Sequence, residues 1–194
     1  MLSLGALLGA QETQSKSGFS EVWAYLMNGE ERFLDASQPI TDVAYFGAGM
    51  NASGRLAGVP DPARVRSIAP KVQRVHLVVA ETSNLALTHF SIDPEFPLRA
   101  VLISEIAEAA RLFDGVQIDF EAVLTKDAAH YQSFLFDLKA ALGTKMLSVA
   151  LPARWKAVGD PYDYPKIASI VDRVVVMAYD EHWSTSSPES HCIA

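Results

Sequence analysis

Gln117, Asp119 and Glu121 stand at alternate positions in "DGVQIDFEAV", residues 114–123. Val116, Ile118 and Phe120 fall between them, so a period of two puts three apolar side chains on one face of an extended segment and three polar ones on the other. A strand in an alternating α/β domain is ordinarily apolar on both faces, because both are covered, and an unpaired carboxylate buried there is costly. A polar row in such a place points to chemistry. Positions i and i+2 lie about 6.6 Å apart along one face, too close together for Asp119 and Glu121 to flank a bond from opposite sides. Adjacent carboxylates also resist ionising together, which keeps a proton on one of them near neutral pH. A proton donor beside a helper acid is what this spacing offers.

The row needs elements to hold it. Apolar runs of strand length recur at 22–27 ("VWAYLM"), 42–47 ("DVAYFG"), 74–80 ("RVHLVVA"), 115–120 ("GVQIDF"), 146–152 ("MLSVALP") and 173–179 ("RVVVMAY"), most of them rich in β-branched or aromatic residues. Helical patterns lie between them, at 97–113 and at 127–143, the second closed by Gly143, and a shorter one begins at "DPARVRSIA" with Pro62 in its first turn. Strand and helix alternating in this way predict a parallel sheet with helices outside it. The segment after the first strand, "LMNGEERFL", has only Gly29, so it lacks the glycine-rich phosphate loop of a doubly wound nucleotide fold. The fold class expected is α/β, a partial (β/α)8 TIM barrel with about six βα units in sequential order, and roughly two units fewer than a complete barrel of about 250 residues. Active sites of such barrels collect at the carboxyl ends of the strands, where Glu121 ends the fourth.

Composition narrows the partners. The chain has 194 residues, 49% hydrophobic and 20% charged, which suits one globular core. Its net charge of −7 excludes a phosphate-backbone partner, so no nucleic acid is expected. Cys192 is the single cysteine and forms no internal disulfide, and the five histidines fall at no metal-ligand spacing, so neither a metal nor a cofactor is expected. Residues 1–10, "MLSLGALLGA", are too short to span a membrane and lack a basic start. Residues 1–18 are read as an export-signal remnant and linker, or as a loosely packed amino terminus, ahead of a domain over 19–194.

Four segments together carry a resemblance. "DGVQIDFE" resembles the Asp-x-x-Asp-x-Asp-x-Glu signature of family 18 glycoside hydrolases, the chitinases and endo-β-N-acetylglucosaminidases, and "VVMAYDEHW" (175–183) resembles their sixth-strand Met-x-Tyr-Asp segment. "LSVALPA" (147–153) and "DVAYFGAG" (42–49) are similar to the family's fifth and second strands. The resemblance implies a nucleophile taken from the substrate's own 2-acetamido oxygen, so that an acid and an orienting group on one strand suffice. It implies Glu121 as proton donor and later base, Asp119 as the group that orients the acetamido N–H, Tyr179 as its hydroxyl support, and Gln117 and Asp180 as substrate-binding neighbours. The second Asp of the pattern is Gln117 here, which donates a hydrogen bond but does not titrate, and Phe120 replaces the common Trp. This variant resembles bacterial cell-wall and spore-associated members, and implies soluble oligosaccharides or peptidoglycan-type glycans as substrate and a secreted, periplasmic or cell-envelope location.

Other residues have plainer roles open to them. A structural ion pair or a magnesium site at Asp119 and Glu121 is set aside on the acidic composition and the Tyr179 match. Asp114 is read equally as capping or holding the start of its strand and as touching substrate, Tyr25, Tyr45 and Trp23 as core before sugar platforms, Trp183 as platform or loop anchor, Met177 as barrel floor and His182 as a solvated loop residue. The sequence ends soon after the sixth strand, which reads as truncation. The function expected is retaining hydrolysis of N-acetylglucosamine glycans, the alternative a non-catalytic glycan-binding module or inactive remnant.

Overall fold

The computed structural model describes residues 18–154, 156 and 158–178. Tyr179, Asp180, His182, Trp183 and Cys192, together with residues 1–17, lie outside the described residues.

Six parallel strands form the sheet, β1 (Trp23–Met27), β2 (Asp42–Met50), β4 (Arg74–Glu81), β5 (Gly115–Phe120), β6 (Met146–Pro152) and β7 (Arg173–Met177), and they lie side by side in chain order. A two-residue strand, β3 (Leu56–Ala57), turns back antiparallel on the end of β2. This is the wall of a partial (β/α)8 barrel, as the alternating pattern predicts. The helices are α1 (Pro62–Ile68), α2 (Leu85–Ile92), α3 (Pro97–Ala109), α4 (Ala128–Leu142) and α5 (Tyr164–Ala168), with a 3-10 turn at Glu31–Phe33 in place of a helix between β1 and β2. Asp61 caps α1 by accepting the Ala63 N–H at 2.9 Å ahead of Pro62, and Gly143 ends α4 at φ +62°, a value that favours glycine. Sequence periodicity missed α2 because its pattern is inverted: Thr88 and Ser91 are buried while Leu85 and Phe90 are exposed.

The two faces of the sheet divide the labour. Val116, Ile118 and Phe120 join Leu77, Val149 and the inward residues of α3 and α4 in one apolar cluster behind the sheet. The other face carries Arg74, His76, Val78 and Ala80 of β4, in register with Asp42 of β2 and with Gly115, Gln117 and Asp119 of β5. Gly115 is required at its place, since a Cβ there would lie 2.5 Å from His76 Nδ1.

At the amino-terminal end of that face a charge network ties the strands together. Asp42, fully buried, accepts Arg74 Nε at 2.5 Å and the Thr41 hydroxyl at 2.6 Å, and His76 Nε2 lies 2.9 Å away. Burial opposes the charge on Asp42, but the hydrogen bonds from His76, Arg74 and Thr41 outweigh it and hold the carboxyl well below the usual range. Glu21, ahead of β1, accepts from Arg74 at 2.9 Å and from Arg173 of β7 at 2.8 Å. Asp114 holds the start of β5, accepting the Val75 N–H and Arg66 at 2.8 Å each. A depressed pKa contributes stability that is full above the unfolded value, about 4, and is lost as pH falls below it through the lower folded value. Asp42→Asn is therefore expected to destabilise the fold by about 3 kcal/mol at pH 7, with the difference from wild type shrinking below about pH 4 in urea titrations.

Candidate active site

The site lies at the opposite, carboxyl end of the same face. Gln117 and Asp119 leave β5 on the side away from its apolar cluster, and Glu121 follows directly after the strand. Gln117 is fully buried and Asp119 is 5% exposed, whereas Glu121 is exposed. The main chain at Glu121 is held from β4, where the Glu81 carbonyl accepts the N–H groups of Glu121 (2.9 Å) and Ala122 (3.3 Å). The Glu81 carboxylate itself is turned to its own loop, where it accepts the N–H groups of Ser83 and Asn84.

Electrostatics separate the two acids. Burial first, and the neighbouring Glu121 carboxylate second, push the Asp119 carboxyl up to about 6. Asp119 Oδ1 and Gln117 Oε1 are buried without a hydrogen-bond partner among the described residues, and Gln117 Nε2 reaches only the Ser148 hydroxyl, at 3.4 Å. Two unsatisfied oxygens on one face of β5 leave acceptor capacity for a bound molecule or for a proton on Asp119. Among the described residues, no group of three or more His, Cys, Asp or Glu could hold a metal ion.

The aromatics sort themselves by face. Tyr45 is buried in the apolar cluster, while Trp23 stacks on His76 with ring centroids 4.4 Å apart. Tyr25, in register with Ala44 on the polar face, is 39% exposed and touches Phe46, so it is less a core residue than its strand position suggests. Met177 is buried at the end of β7. Tyr162 escaped sequence reasoning altogether. It sits in the loop between β6 and α5, in "DPYDYP", and its hydroxyl donates to the Phe120 carbonyl at 2.7 Å and lies 3.1 Å from that of Glu121. No spacing rule links it to β5; only the composition of that loop, two tyrosines among aspartates and prolines, marks it.

Residues 99–192 match the family described as Glycosyl hydrolases family 18. Over this stretch, just under half of the chain, it is similar to family 18 of the glycosyl hydrolases. Similar proteins include the cortical fragment-lytic enzyme of Bacillus anthracis, 26% identical over 177 residues, which are 82% of this chain and 41% of that protein. The glycosylase YvbX of Bacillus subtilis (strain 168) is 39% identical over 83 residues, 39% of this chain and 24% of that one. Among solved structures, the Bacillus cereus spore cortex-lytic enzyme SleL superposes with a TM-score of 0.73 at 27% identity, over 87% of this chain and 43% of that chain. The class V chitinase of Nicotiana tobaccum, at 18% identity and a TM-score of 0.69 over 82% of this chain and 52% of that one, shares the fold. The chain spans less than half the length of these curated relatives. The bacterial, spore-type resemblance carried by Gln117 and Phe120 agrees with these spore cortex-lytic and cortical fragment-lytic Bacillus proteins.

A carboxyl whose pKa is raised in the fold contributes stability below its unfolded value, about 4, that is lost as pH rises through 6. Asp119→Asn removes that loss. Relative to wild type, the variant is expected to gain on the order of 2 kcal/mol in unfolding free energy between pH 4 and pH 8, measured by urea denaturation across that range.

Proposed function

We propose that the protein hydrolyses β-linked N-acetylglucosamine glycans by a retaining, substrate-assisted route. The observation that carries this reading is the pairing of a buried Asp119 with an exposed Glu121 two residues on, at the carboxyl end of one barrel strand. Two acids on one side of a sugar do not support the two-carboxylate displacement, which needs one on each side of the scissile bond. The nucleophile then comes from the substrate. The pair holds one proton, which passes from Asp119 to Glu121 as Asp119 takes up the substrate's acetamido N–H; Glu121 gives it to the leaving glycosidic oxygen as the C1–O bond breaks, and the acetamido oxygen of the same sugar closes on C1 as an oxazolinium ion. Glu121, now a carboxylate, takes a proton from the water that opens that ring, and the configuration at C1 is retained.

Asp119 accepts the acetamido N–H and faces the positive charge as it builds, a contact that strengthens along the reaction path. Gln117 holds its place beneath Asp119 as a neutral group. Tyr179 and Asp180 complete the sugar site on the strength of the Met-x-Tyr-Asp resemblance. Gln117 and Phe120, with the spore cortex-lytic and cortical fragment-lytic relatives, favour peptidoglycan-type glycans or soluble oligosaccharides as substrates. Such substrates lie in the cell envelope or beyond it, which favours a secreted, periplasmic or envelope-associated protein. Among the described residues no helix is long and apolar enough to cross a membrane.

Glu121→Gln is expected to lower kcat on a chromogenic N-acetyl-chitooligosaccharide by about a hundred- to ten-thousandfold with glycan binding kept, because the amide has the shape of the acid and no proton to give. Full activity in that variant would remove Glu121 from the role. A thiazoline that mimics the oxazolinium ion should inhibit competitively, and a deacetylated glycan should resist cleavage. Equal cleavage of acetylated and deacetylated glycans, or an inverted anomeric product, would exclude the acetamido mechanism. Binding by the wild-type chain with no product released would favour a glycan-binding module.

A further inference from the structure

We infer that Tyr162 is a positioning residue for Glu121: its hydroxyl completes the hydrogen bonding at the end of β5 and fixes the direction in which Glu121 leaves the strand. This rests on the reading of Glu121 as the proton donor. The sheet is split at that point. β5 pairs with β4 as far as Phe120, but its register with β6 runs only to Ile118 opposite Val149. Beyond Ile118 one side of β5 is supported by the Glu81 carbonyl, and the other side turns the carbonyls of Phe120 and Glu121 towards the β6–α5 loop. The phenol fills the split. It has one proton to share between two acceptors, closer to Phe120 O at 2.7 Å than to Glu121 O at 3.1 Å.

The donor is itself held from all sides. Tyr162 is buried, and its ring meets Tyr131 of α4 edge-on, with centroids 5.8 Å apart at 78°. Asp160 accepts the Tyr162 N–H at 2.8 Å, Arg154 donates to the Tyr162 carbonyl at 2.7 Å, and Arg154 and Asp160 pair with each other. A loop pinned at both main-chain groups of one residue leaves that side chain little choice of direction. What it directs is the peptide from which the Glu121 carboxyl projects, so a small rotation there moves the carboxyl relative to Asp119. Misplacement of a reacting group by about 1 Å can lower a rate a hundredfold.

The groups that face Asp119 electrostatically are Glu121, the phenol of Tyr131 and the phenol of Tyr162, and Gln117 beside it is neutral. The ionisation of Asp119 therefore reports where Glu121 stands, whether or not the chain cleaves a glycan. The experiment titrates the Asp119 carboxyl by carbon-13 NMR in the full chain, alongside kcat and KM, for wild type, Tyr162→Phe and Tyr164→Phe. Tyr162→Phe keeps the ring that packs on Tyr131 and deletes only the hydroxyl. The expected result is a fall in the Asp119 midpoint by about half a pH unit or more as Glu121 drifts from it. With it, kcat falls about ten- to a hundredfold while KM stays within about twofold. Tyr164→Phe, which loses a hydroxyl bonded across the same loop to the Pro152 carbonyl at the end of β6, should leave both as in wild type. An unmoved midpoint in Tyr162→Phe, or an equal movement in Tyr164→Phe, overturns the inference whatever the rate does. A wild-type chain without hydrolase activity sinks the proposed function alone, and the midpoint then decides the positioning role by itself.

Discussion

A carboxylate on the inner face of β5 must give up most of its water, and the arrangement around Asp119 follows from that loss. The apolar cluster behind the sheet takes Val116, Ile118 and Phe120, so alternation sends Gln117 and Asp119 to the other face with no freedom to turn. There burial first, and the Glu121 charge second, hold the Asp119 proton towards neutral pH, and one of its oxygens is left unsatisfied. The same alternation places Glu121 past the last sheet pairing, where water reaches it. One acid is thus dry and hard to ionise while the next is wet. Different environments for two like groups are a general means of giving them different chemical tasks.

The opposite end of the same face treats an acid in the reverse way. Asp42 is as buried as Asp119, yet Arg74, His76 and Thr41 all bond it and its charge is kept. Satisfied acids anchor the amino-terminal ends of the strands, and a partly unsatisfied one waits at the carboxyl ends. This polarity agrees with barrels in general, whose lower rim serves stability and whose upper rim serves reaction.

The strands and the candidate acids were legible because both are written in local periodicity. A period of two over residues 115–120 fixes which side chains share a face, and six such runs with helices between them leave little choice of topology. What was illegible depends on contacts that no local pattern records. The α2 helix buries Thr88 and Ser91 and exposes Leu85 and Phe90, so an apolar stripe never appears. β3 and α5 are too short for a period to be counted. Tyr25 looked like core because aromatics in strands usually are, but it stands on the open face of the sheet, beside Phe46. Tyr162 touches β5 across 42 residues of chain, through a single oxygen.

Glu21 and Arg173 are 152 residues apart in sequence and bonded in space. Every neighbouring pair among the six parallel strands is consecutive along the chain apart from the small β3 turn, so the sheet can assemble by successive local closures, each joining the next strand to one already in place. The Glu21–Arg173 bridge is different, because it joins what precedes the first of these strands to the start of the last and closes a far larger loop. It can only form once all the intermediate pairings exist. Arg173 is half exposed, so this last-made link is open to screening by salt. Raised ionic strength would loosen the join between the outer strands while leaving the strand-to-strand pairings intact, and the molecule would open along its rim before its sheet came apart.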